Sequence, residues 1–120
     1  MIYMQSVYPT TCELAGLDVP DSVDFKSILP LVKGEKKGGE DVIFNAYIET
    51  QRLVRTDRYK LVHYPKIGRN QLFDLKEDPH ETKDLIDNPK LEPVKKKLLA
   101  TLRKKRSELG DGLLSASGGK

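Results

Sequence analysis

The chain has 120 residues and 13.6 kDa, with 21 Lys and Arg against 18 Asp and Glu, a net charge of +3. That length suits one small domain and argues against two independent cores. With 38% hydrophobic and 32% charged residues, any core is thin, and further buried surface belongs to a partner or to another segment. The single cysteine, Cys12, excludes an internal disulfide and a cysteine-based zinc site. No apolar run approaches the ~20 residues of a membrane span. No basic region followed by an apolar stretch opens the chain, so a signal peptide is not expected. Two histidines, His63 and His80, leave little material for acid–base or metal chemistry.

From the N-terminus, Pro9–Gly16 reads as a short helix with Pro9 in its first turn and Gly16 as a left-handed stop. Val7 and Leu14, with Cys12 and Ala15, are expected on its buried side. Cys12 reads as a small buried apolar residue rather than a reactive thiol, because no histidine lies near it in sequence. Residues 17–31 carry Pro20 and Pro30 and read as an irregular connector, and 27–32 as a packed turn or short helix. The segment 33–41, K-G-E-K-K-G-G-E-D, is a charged, glycine-rich exposed loop. Its glycines nearly match a phosphate-binding loop, but the required lysine and Ser/Thr do not follow.

Residues 41–75 are strand-rich. Segments 42–48, 52–55 and 59–64 concentrate β-branched and aromatic residues, and Thr56-Asp57-Arg58 is a hairpin turn between the last two. A fourth strand, 71–75, follows a loop over 65–70. Four strands on short connections predict an antiparallel meander with one covered face. Asp74, Asp78 and Glu81 cluster in the next segment, but Pro79 occupies the position where a calcium loop needs glycine. The favoured reading is an acidic turn capped by Asp78, with His80 exposed.

Between Glu92 and Leu109 the charge is +5, against −2 for the rest of the chain. Leu91, Val94, Leu98, Leu102 and Leu109 recur mostly at intervals of three and four, which predicts an amphipathic helix covering the sheet, its Lys and Arg solvated. A polyanion- or nucleic-acid-binding module built on helix 92–109 is the rival reading. It is disfavoured because no aromatic residue is interleaved with the basic ones. Residues 110–120 are expected to be a flexible tail.

Three stretches in order resemble the sulfatase family of formylglycine-dependent, arylsulfatase-like sulfuric ester hydrolases. Tyr8-Pro9-Thr10 through Leu14-Ala15-Gly16, with Pro20 and Ser27-Ile28-Leu29-Pro30-Leu31, resembles a YPT-x-x-x-LAG…P…SL-x-P-L stretch. Gln51–Val62 resembles an R-x-V-R-T-x-x-(Tyr/Trp)-K-L hairpin, and Gln71–Leu75 through Asp78-Pro79-His80-Glu81-Thr82 an LYDL-x-x-DP-x-E turn. The resemblance implies the C-terminal subdomain of a sulfatase of the bacterial type acting on sulfated sugars. The implied fold is α+β, a small four-stranded antiparallel sheet covered by the C-terminal amphipathic helix. Residues 1–34 would end the large α/β domain and form a connector, 35–109 the subdomain, and 110–120 the tail.

The family's chemistry uses a formylglycine made within C/S-x-P-x-R and a divalent metal, calcium. The C/S-x-P-x-R motif is absent from these residues, and the family's metal segments lie upstream. No catalytic or metal-binding residue, and no cofactor, is therefore assigned here, and the chain alone is expected to be inactive. What it could contribute is substrate selection by polar residues at strand ends: Asn45, Tyr47, Gln51, Arg52 and His63. Arg52 could grip a carboxylate or sulfate with its planar fork, although a salt bridge flanking the hairpin is the favoured role. The implied partner is the large catalytic domain. The separated chain, or a split or decayed reading frame, would expose apolar surface and self-associate. A membrane is not expected as a partner and nucleic acid is disfavoured. The compartment stays open, since family members are commonly exported.

Overall fold

The computed structural model describes residues 1–112, and they divide into two compact units, Met1–Ile43 and a second that begins at Phe44. The division falls at 43 rather than at 34. The Glu40 N–H donates to the Met1 carbonyl at 2.7 Å, and Gly39 packs so closely on the Met1 backbone that a Cβ would collide with it. The glycine loop therefore stays with the first unit.

In the first unit a 3-10 turn, Met4–Ser6, runs directly into helix α1, Val7–Leu14, and a single-turn helix α2, Leu29–Val32, follows the connector. Gly16 ends α1 at φ +69, the conformation that favours glycine. The buried side of α1 differs from the expected one. Pro9, Thr10 and Cys12 are buried, whereas Val7 and Leu14 are 49% and 68% exposed. Thr10 explains this: its hydroxyl donates to the Ser6 carbonyl at 2.6 Å and accepts from the Ile28 N–H at 2.9 Å. A polar residue thus ties α1 to the start of α2, and Val7, Tyr8 and Leu14 of α1 face away from the unit's small interior.

The second unit holds a four-stranded meander, β1 (Ile43–Tyr47, its first residue at the unit boundary), β2 (Gln51–Arg55), β3 (Tyr59–Tyr64) and β4 (Arg69–Asp74), in the order β1-β2-β3-β4. Antiparallel register aligns Val54 with Leu61 and Leu61 with Leu72, and all three are fully buried. Helix α3, Glu92–Glu108, packs on β2 and β3 through Leu98 and Leu102. Gly68, at φ +62, turns the chain from a 3-10 turn at Pro65–Ile67 into β4. The opposite face of the sheet is not open as a single covered face would require, because Val62 and Phe73 on it are also buried.

The second and third sequence motifs meet here as neighbouring structure. Arg58, in the β2–β3 turn, donates to both carboxylate oxygens of Asp74, at 3.1 Å from Nε and 2.8 Å from Nη2 to Oδ2. The Leu75 N–H donates to the Arg58 carbonyl at 2.7 Å. The ordered chain continues beyond 109, through Gly110 and Asp111, and the remainder of the expected tail, 113–120, lies outside the described residues. Truncating Leu61 to Ala should cost about 2–5 kcal/mol through cavity formation. A urea titration followed by circular dichroism checks this, the midpoint falling with little change of slope.

Candidate functional site

On the helix-covered face of the sheet, the apolar row Val54–Leu61–Leu72 gives way two residues along to a polar row. Arg52 sits opposite His63, and His63 opposite Asn70. Strand periodicity places these residues on the same face as the apolar row, beneath the C-terminal half of α3.

Arg52 is buried, 4% exposed, and all its guanidinium nitrogens are engaged. Nε and Nη2 donate to the two oxygens of Asp111 at 2.6 and 2.9 Å, and Nη1 donates to the carbonyls of Ile48 and Gln51 at 2.7 and 2.8 Å. Asp111 also accepts from Nε of Arg106 at 2.7 Å. Arg106 is 1% exposed, and its Nη2 has no acceptor among the described residues. Two buried guanidiniums thus share one carboxylate. The bonds from Arg52, and then those from Arg106, hold the Asp111 carboxyl down at about 2.

The sequence reading put Arg106 on the solvated face and Asp111 in the tail; both positions are corrected. Leu98, Leu102 and Arg106 follow at four-residue intervals, so Arg106 continues the buried stripe. Leu109, expected on that stripe, lies past the helix end and is 64% exposed. The salt bridge read as the favoured role of Arg52 exists, with a partner that is distant in sequence rather than beside the hairpin.

The other expected residues lie nearby. His63 is half-buried, and its Nδ1–H donates to Asn70 Oδ1 at 2.8 Å. His63 and Asn70, with Leu99, Leu102, Arg103 and Arg106, line a cavity of about 180 Å³. Asn45 and Tyr47 are exposed on β1, and Gln51 is half-buried at the start of β2. The three lie on one hairpin, away from the cavity lining. Its connecting loop holds Ile48 at φ +47, a strained conformation for a β-branched residue, with the side chain 71% exposed. The Arg52 bond to the Ile48 carbonyl braces that conformation.

The acidic turn after β4 is occupied by protein donors. Asp78 accepts from the Lys83 N–H and the Thr82 hydroxyl, Glu81 pairs with Lys60 at 2.6 Å, and His80 is exposed. The basic stripe of α3 is partly neutralised as well: Lys95 and Lys96 pair with Glu92, and Lys104 and Lys105 with Glu108. Lys97 and Arg103 carry no ion pair among the described residues.

Residues 1–108 match the family described as N-sulphoglucosamine sulphohydrolase, C-terminal. The chain belongs to that sulfatase family. It is 36% identical over 94 residues to a Delta 4,5-hexuronate-2-O-sulfatase of Bacteroides thetaiotaomicron, covering 72% of this chain and 20% of that protein. Among solved structures, a 2-O GAG sulfatase superposes with a TM-score of 0.76 at 32% identity, over 91% of this chain and 25% of the other. A phosphonate monoester hydrolase of Agrobacterium radiobacter superposes with a TM-score of 0.65 at 25% identity, over 86% and 24%.

This sulfatase chain thus spans a fifth to a quarter of the length of those relatives. Sulfatases generally depend on a metal ion and formylglycine. Among the described residues, no three His, Cys, Asp or Glu side chains gather as a metal-binding group.

Because the folded Asp111 value lies below the ordinary 3.8, the clamp's contribution is present above about pH 4 and is lost as the pH falls towards about 2. Asp111→Asn should cost about 3–5 kcal/mol at neutral pH by leaving two buried guanidiniums uncompensated. It should also flatten the acid limb. Urea midpoints measured for both proteins from neutral pH down to about 2 check the magnitude and the sign.

Proposed function

We propose that this chain is the C-terminal part of a larger sulfatase acting on sulfated sugars, and that it supplies docking surface and substrate selection rather than the reacting groups. The reacting groups belong to an upstream domain that carries the formylglycine and a calcium ion. Sulfate transfer needs a hydrated aldehyde as nucleophile and a cation to neutralise the sulfate oxygens, and these 120 residues contain no C/S-x-P-x-R sequence. The relatives support the substrate class through the activities they are named for.

The observation that carries the docking role is the distribution of exposed apolar side chains. Ile2, Met4, Val7, Tyr8, Leu14, Leu17, Val19 and Val32, all in the first unit, are 37–82% exposed, while its buried apolar residues include only Cys12 and Leu29 beside Pro9. A unit so unevenly divided is built to lie on another surface. No helix among the described residues is long and apolar enough to cross a membrane. The matching length of the relatives supports an upstream domain as what covers it.

Selection is assigned to the β1–β2 hairpin and its neighbour strand. Asn45, Tyr47 and Gln51 offer hydrogen-bonding and stacking groups beside a braced, strained loop, a combination that recurs at ligand-contacting sites. His63 adds a polar group on β3. Arg52 acts as a positioning residue, holding the Ile48 carbonyl.

The test is the coding sequence immediately upstream of Met1. An in-frame C/S-x-P-x-R motif with carboxylate-rich segments is expected; a stop codon followed by unrelated sequence would overturn the proposal. The isolated chain should self-associate. A Val7→Ser/Leu14→Ser double variant should shift it towards monomer in analytical ultracentrifugation while changing stability by no more than about 0.5 kcal/mol.

A further inference from the structure

The clamp described above has one negative charge too few. Arg52 and Arg106 are 4% and 1% exposed, and Asp111 is the single carboxylate between them, so the seam between β2 and α3 carries a buried excess of one positive charge. The deficit also appears as a specific atom: Arg106 Nη2 is buried without an acceptor. An unpaired buried donor on a charged group is strongly unfavourable, and interiors leave few of them.

Arg106 also lines the cavity of about 180 Å³ at this end of the sheet, with Arg103, His63 and Asn70 as its other polar lining residues. Arg103 is exposed and carries no ion pair among the described residues. His63 gives its Nδ1–H to Asn70 Oδ1, which leaves His63 Nε2 and Asn70 Nδ2 without partners among the described residues. Leu99 and Leu102 complete the wall, and no carboxylate lines it. On the same measure of volume a single water needs only about 10–15 Å³, so the space takes a compact multi-atom anion.

We propose that this cavity is a binding site for a compact tetrahedral oxyanion of the sulfate or phosphate class, held by Arg103 and the Asn70 amide beside the under-neutralised Arg106. Arg103 supplies the planar fork that matches two oxygens of such an ion. The anion offsets the excess charge of the clamp across the seam. Occupancy therefore couples the C-terminal half of α3 to the polar row of the sheet. None of this depends on the sulfatase assignment, since it follows from the charges and the cavity of the second unit alone.

The experiment is a nuclear magnetic resonance titration of the full 120-residue chain with sodium sulfate, in the low millimolar range, against sodium chloride at equal ionic strength. Saturable shifts of the His63 ring and Asn70 side-chain amide with sulfate, and none with chloride, are expected. Arg103→Gln should weaken the response about tenfold, the loss of one charge-assisted contact. Lys97→Gln, an exposed and unpaired cation on the same helix, should leave it unchanged. Shifts that grow without saturating, that chloride reproduces, or that both variants weaken equally would overturn the site. A parallel titration with a monosaccharide sulfate separates the sources: tighter saturation than sulfate assigns the anion to a sugar ester and weaker to the free ion, either supporting the site, while no saturation by any oxyanion overturns it.

Discussion

Two arginines from separate elements converge on Asp111, and the arrangement of the second unit turns on that contact. Arg52 comes from β2, Arg106 from the last turn of α3, and the carboxylate from the residues beyond the helix. Leu98 and Leu102 hold α3 on the sheet by burial, which is strong but indifferent to direction. The clamp adds direction, because a planar fork meets a carboxylate in few geometries. It fixes the axial position of α3 against β2, and through Nη1 of Arg52 it fixes the backbone of the β1–β2 loop as well. A single buried charge network therefore links the helix end, the polar row and the exposed hairpin.

The two units show different solutions to a small core. The second has an interior of its own, with Val54, Leu61 and Leu72 fully enclosed beneath α3. The first relies on hydrogen bonds through Thr10 and leaves much of its apolar surface outside. Such a division is what a segment needs when part of its stabilising burial is supplied by another surface. Family membership places the chain among sulfatases, and the likeness to a phosphonate monoester hydrolase shows that the fold also occurs where the ester is not a sulfate.

Much of the second unit was legible in the sequence. β-branched and aromatic residues marked the strands, and Thr56-Asp57-Arg58 marked the turn, where the Thr56 N–H bonds the Tyr59 carbonyl at 2.8 Å. What escaped was the fate of polar residues. Arg106 stands in a run of basic side chains that composition treats as solvated, although its spacing from Leu98 and Leu102 placed it on the buried stripe. Asp111 carried no local signal, since its partners are 59 and 5 residues away. The inward face of α1 was misjudged for a related reason: hydropathy sends Val7 and Leu14 inside, whereas hydrogen bonding draws Thr10 there. The five expected residues fall in three places, Asn45, Tyr47 and Gln51 on the hairpin, Arg52 in the buried clamp and His63 in the cavity lining, a division that pairwise register, not residue type, decides.

The separation of Arg52 from Asp111 along the chain has a consequence for biosynthesis. Synthesis proceeds from the N-terminus, and domains generally fold as units. The strands and most of α3 leave the ribosome before the carboxylate that neutralises their two arginines. Until residue 111 emerges, the nascent unit holds a seam whose cations repel one another and cannot be closed dry, so its packing against the sheet is deferred to the last step. A message truncated between the end of β4 and that codon yields a chain with complete strands and no closure. Such a product is open to proteases in the way an unfolded chain is.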